Sequence, residues 1–132
     1  MSEERKVEIM KLNHDCVREL LLYLEENLDY DKSIGMFDLH LKDFSDEDVF
    51  YTVQKLSEAK YLKADIGFNV CGGYIGSVDC ITWEGHKFLD TIRDNQVWSK
   101  TKQVLSKVSS ASISFASTVA SQVLTNLIQQ QM

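Results

Sequence analysis

Hydrophobic and polar positions along this chain repeat in two different periods, and the changes between them mark the elements. Behind Asn13, a candidate cap, Val17, Leu20, Leu21, Leu24 and Leu28 recur at three- and four-residue steps, with Arg18, Glu19, Glu25 and Glu26 on the other side. That spacing predicts a first helix. "LDYDKS" is polar turn material. In "IGMFDLHL", Met36, Asp38 and His40 alternate with Phe37, Leu39 and Leu41, the period of two that predicts a strand with one covered face. Helical spacing returns at Val49, Phe50, Val53 and Leu56, behind Ser45 as N-cap and with Asp46, Glu47 and Asp48 on the first turn.

"SEAKYLKADIGF" closes that helix and opens a strand, and "SVDCITW" reads as a returning strand after a turn at Gly72, Gly73 and Gly76. "ITWEGHKFLD" then turns into a helix carried on by Phe88, Leu89, Ile92 and Val97, with a bend or break at "DNQVW" before "SKTKQVLSKV". The last stretch, from Val108 to Met132, holds no charged residue, yet Ile113, Ala116, Val119, Ala120, Val123, Leu124, Leu127 and Ile128 fall on one helical face.

The predicted order is helix, strand, helix, two-stranded wing, helix, which is an α+β winged helix with a C-terminal helical extension. Residues 1–9 read as a flexible lead, 10–107 as the winged-helix domain and 108–132 as an uncharged amphipathic helix. Within that last helix Ile113, Ala116, Ala120, Val123 and Leu127 form a narrow stripe with small neighbours. It suits either packing back on its own domain or self-association as a homodimer.

Two segments carry a family likeness. "VFYTVQKLSEAKYLKA" resembles the recognition-helix-to-strand pattern of ArsR-type and MarR-type winged helices, in Leu56, Ala59, Tyr61 and Leu62, with Lys60 where a glycine is usual. "ITWEGHKFL" is similar to the motif that follows the wing in those proteins, through Ile81, Thr82, Gly85, Phe88 and Leu89. With "FLDTIRDNQVWSKTK" and the Ser/Ala-rich ending, the chain from about Lys11 resembles a small winged-helix family of unknown function, YjcQ-like, from Gram-positive bacteria and their prophages. The resemblance implies a fold and no activity.

Charge decides how that fold is read. The net charge is −6, so the overall field does not favour nucleic acid or anionic lipid. A winged helix suggests DNA binding, but Asp46, Glu47 and Asp48 stand where the backbone would approach, Lys55 is the one cation of their helix, and the wing "NVCGGYIGS" is uncharged. Cations concentrate elsewhere: from Glu84 to Lys107 five basic residues face three acidic ones, and Lys87, Arg93, Lys100 and Lys102 are a separate candidate patch.

No catalytic or metal-binding pattern stands out. His14, His40 and His86 form no i, i+4 pair and no HExxH, and Cys16, Cys71 and Cys80 show no CxxC spacing, so they read as reduced thiols. Cys71 and Cys80 flank the hairpin turn, and a cross-strand disulfide is the weaker alternative for them. Trp83 and Trp98 read as core or seam aromatics, an exposed one being a candidate anchor for a partner. "MSEERKVEIM" has no apolar segment behind its charges, and no run reaches the roughly 20 apolar residues that span a bilayer. The expectation is a cytoplasmic, non-enzymatic protein-interaction module without cofactor, associated with a phage or prophage. It would inhibit or regulate a basic protein partner through Asp46, Glu47 and Asp48. The alternative is a DNA-binding transcriptional regulator.

Overall fold

The computed structural model describes residues 11–69, 71, 73–109 and 111–131, and the lead assigned to residues 1–9 lies outside them. Among these residues the chain forms five α-helices and a three-stranded antiparallel sheet. The order is α1 (His14–Asn27), β1 (Ile34–Gly35), a short 3₁₀ turn (Met36–Asp38), α2 (Asp46–Glu58), β2 (Leu62–Asn69), β3 (Gly73–Ile81), α3 (Trp83–Ile92), α4 (Asn95–Leu105) and α5 (Ile113–Gln130). The sheet order is β1-β3-β2.

Helix starts follow local chemistry. The side chains of Asn13, Ser45, Thr82 and Ser112 each accept a hydrogen bond from the backbone N–H three residues on, at 3.1 Å. The break expected at "DNQVW" falls at Arg93 and Asp94: Asp94 Oδ1 accepts from the N–H groups of Gln96 (2.8 Å) and Val97 (3.1 Å), which starts α4 afresh.

α2 ends in two nested backbone bonds, from Lys60 N–H to the Ser57 carbonyl (3.0 Å) and from Tyr61 N–H to the Leu56 carbonyl (2.8 Å). This closure needs a left-handed residue between them, and Lys60 has φ +70°. The lysine thus occupies the place where glycine is usual, and its Cβ opposes the conformation. Lys60→Gly is expected to stabilise the fold by about 1 kcal/mol and raise Tm by roughly 3 °C, read by thermal unfolding.

One core joins the elements. Leu20, Leu21 and Leu24 of α1, Val53 and Leu56 of α2, Val78 of β3 and Leu89 and Ile92 of α3 are fully buried together. Burial of this set supplies the main driving force for folding. Arg18 of α1 reaches across to the end of α3, donating from Nε to the Ile92 carbonyl (2.9 Å) and from Nη2 to the Arg93 carbonyl (2.7 Å) and Asn95 Oδ1 (2.9 Å). It satisfies carbonyls that a helix end leaves open.

Three readings need correction. The segment 34–41 is a strand only over Ile34–Gly35, pairing with Val78 and Ser77 of β3, and then coils into the 3₁₀ turn. Three residues per turn put Met36 into the core beside Leu39 and leave Phe37 87% exposed, so Met36 and Phe37 exchange sides relative to the predicted alternation while Leu39 stays covered. Gly73 and Gly76 lie within β3 rather than in the turn, and β3 begins four residues before Ser77. At Gly76, φ is +108° and a Cβ would run into the Asp65 carbonyl, so this pairing is open to glycine alone. Trp83, expected in the core or a seam, is 75% exposed, whereas Trp98 is buried.

A candidate partner-binding surface

The start of α2 carries the acidic turn outward. Asp46 and Glu47 are exposed and Asp48 is half-buried. His40, on the connection before α2, holds its ring between two acceptors, with Nδ1 3.1 Å from Asp46 Oδ1 and Nε2 3.1 Å from the Phe37 carbonyl. The backbone carbonyl of Asp48 accepts from Thr52 Oγ1 (2.7 Å) and from the Cys16 thiol (3.9 Å).

Aromatic rings flank these carboxylates. Tyr74 of β3 stacks on Phe50 of α2 with ring centroids 4.3 Å apart, and Phe68 of β2 tilts against Tyr74 at 5.5 Å. Phe68 is 65% exposed. Burial pushes the Tyr74 hydroxyl above its ordinary pKa, and the charges of Glu47 and Asp46 push in the same direction. Met36, Phe37, His40, Asp46, Gly73 and Tyr74 together line one groove. The fold therefore brings Asp46 and Glu47 beside an exposed aromatic cluster and leaves Asp48 half-buried. Spacing by three, Met36 to Leu39, was the signal that would have marked Phe37 as an outward residue.

Among the described residues, Lys55 and three of the four cations of the candidate basic patch are engaged in ion pairs. Lys55 pairs with Glu58 at 3.1 Å and lies 5.3 Å above the Tyr51 ring. In the candidate basic patch Lys87 pairs with Glu84 (3.2 Å) and Lys102 with Asp15 (2.9 Å), while Arg93 grips Glu25 through two bonds of 2.7 and 2.8 Å and also Asp90 at 2.8 Å. Hydrogen bonds from Arg93 hold the Glu25 carboxyl below its ordinary range. Asp15 is also lowered: burial works against its charge, and hydrogen bonds from Lys102 Nζ and Trp98 Nε1 outweigh it. Lys100 is exposed, and the hairpin offers Lys63 against Asp65 and Asp79.

The thiols and histidines make no reactive pair. Burial pushes the Cys16 thiol up to about 11, which keeps it protonated and weakly nucleophilic. Burial likewise lowers the pKa of His14, against a hydrogen bond to the Ala111 backbone. Cys71 and Cys80 are exposed and free; Cys80 is registered opposite Lys63 near the base of the hairpin, and Cys71 lies at its tip, so they do not face each other across the strands. No group of three or more His, Cys, Asp or Glu among the described residues could hold a metal ion.

The predicted self-association stripe is divided. Ile113, Ala116 and Ala120 are buried in the protein's own core, so these three are covered within one copy, while Val123 and Leu127 are only half-buried.

Residues 11–112 match the profile of the family described as Hypothetical protein (DUF2513). The chain belongs to that family. In this DUF2513 member the match takes in the sheet and the first four helices and stops one residue before α5. A relative from Haemophilus influenzae, named only as an uncharacterized protein, is 29% identical over 127 residues, covering 93% of this chain and 99% of the relative. No solved structure matches the chain. Neither match speaks to a Gram-positive or prophage origin or to a YjcQ-like identity. No described helix of this DUF2513 protein is long and apolar enough to cross a membrane.

Proposed function

We propose that this DUF2513 protein is a non-enzymatic winged-helix interaction module that docks a basic segment of a protein partner, in a phage or prophage setting, and so inhibits or regulates it. The winged-helix reading rests on the order of α1, β1, α2, the β2–β3 hairpin and α3 around one small antiparallel sheet. The observation that carries the docking surface is the juxtaposition of Asp46 and Glu47 with the exposed rings of Phe37 and Phe68 around the Tyr74 groove. Carboxylates beside aromatic faces suit lysine or arginine, by charge and by cation–π attraction, and apolar anchors beside them. A DNA-reading role is opposed by the same carboxylates and by the ion pairs that occupy Lys55, Lys87, Arg93 and Lys102.

Peptide-display selection on the purified chain tests this. Enriched sequences are expected to combine Lys or Arg with an aromatic or aliphatic residue, and binding should weaken about tenfold in the Asp46→Asn/Glu47→Gln double variant. Duplex DNA is expected to give no shift at physiological salt. Submicromolar binding to a defined DNA sequence, lost in Lys55→Ala, would replace this reading with that of a transcriptional regulator.

A further inference from the structure

α5 carries an apolar face along its whole length, and only the first half of that face is buried inside the domain. Ile113, Ala116 and Ala120 are covered by the rest of the chain. At steps of three and four the same side continues as Val123, Leu124, Leu127 and Ile128. The first three are half-covered and stand outside the main core cluster, and Ile128 is 51% exposed. Beyond the last buried residue, Ser121–Gln130 extends this seam by about 15 Å.

The charge distribution says what could cover it. The chain has net charge −6, yet no residue from Val108 to Met132 is charged, and α5 is the one described helix without a charged side chain. Two copies meeting through the acidic surface around Asp46 and Glu47 would set like charges against each other; meeting through α5 they would not. A surface that meets itself across a two-fold axis must also be self-complementary. The amides of Gln122 and Asn126 beside the seam each carry donors and an acceptor, and they already pair with one another at 3.3 Å. A charged partner would find no counter-charge on this helix.

We propose that the second half of α5 docks the same segment of a second copy, Val123 and Leu127 at the centre with Leu124 and Ile128 beside them. This goes beyond the docking of a basic partner at Asp46 and Glu47 and does not depend on it. The short seam places the contact at the small end of specific interfaces, with a Kd of roughly 10 µM.

Sedimentation equilibrium of the full chain between about 1 and 100 µM tests the proposal, since a Kd near 10 µM falls inside that range. Wild type is expected to pass from monomer to dimer, and Leu127→Asp to stay monomeric throughout, a loss of affinity of at least about tenfold. Thr125→Glu, on the opposite polar face, should dimerise as wild type does. Circular dichroism of the dilute proteins separates lost association from lost folding, because Leu127 lies past the last buried residue of α5. A wild-type chain that stays monomeric, whether its α5 then binds vesicles or a different protein, overturns the proposal. So does a dimer undiminished in a folded Leu127→Asp protein.

Discussion

Gly85→Val is expected to leave the protein largely unfolded at room temperature, with the native circular dichroism signal and the cooperative thermal transition both lost. Gly85 sits in the first turn of α3, where its N–H donates to Thr82 Oγ1 at 3.1 Å. A Cβ built there would run into the Tyr61 carbonyl and come within 2.8 Å of Ile81 Cγ2. Neither neighbour is free to give way. The Tyr61 carbonyl accepts from Thr82 N–H (3.0 Å), and Thr82 Oγ1 donates to the Lys60 carbonyl at 2.6 Å, so the end of α2, the start of β2 and the start of α3 are tied at one point. Moving α3 away would break these bonds and open the core around Phe88 and Leu89. The cost belongs to the exceptional class, about 4–5 kcal/mol or more, comparable with the whole stability of a small domain. A cooperative transition within a few degrees of wild type would show that α3 can shift at little cost.

Leu56→Ala is expected to cost roughly 2–5 kcal/mol, measured by denaturant unfolding with the slope unchanged. Leu56 is fully buried in the main cluster. Its carbonyl accepts the Tyr61 N–H that closes α2, so the residue sits where the helix is both packed and terminated. A side chain held on several sides leaves a cavity that the surroundings fill only in part. An unchanged midpoint would mean that the site collapses freely around alanine.

Local signals placed most of the elements. Amphipathic spacing found α1, α2, α3 and α5, and the caps at Asn13 and Ser45 marked the starts of the first two, because a cap and a helical stripe involve residues three or four positions apart. The acidic first turn of α2 was equally legible as half of the candidate surface. Its aromatic half was not. Over 34–41 the apolar residues suit a two-residue and a three-residue period alike, and packing against β3 chose the latter, exposing Phe37 and burying Met36.

By itself, then, the sequence determined an acidic α+β chain with capped helices, a hairpin and a charge-free final helix, all properties written in neighbouring residues. Tertiary structure decided the rest. Lys102 and Asp15 are 87 positions apart and Arg93 and Glu25 are 68, so only the folded chain shows that these two cations of the candidate basic patch are paired with carboxylates. In the same way, the division of the α5 stripe depends on how far the domain beneath it reaches. Ion pairing and burial are settled by distance in space, which helical and strand periods along the chain do not encode.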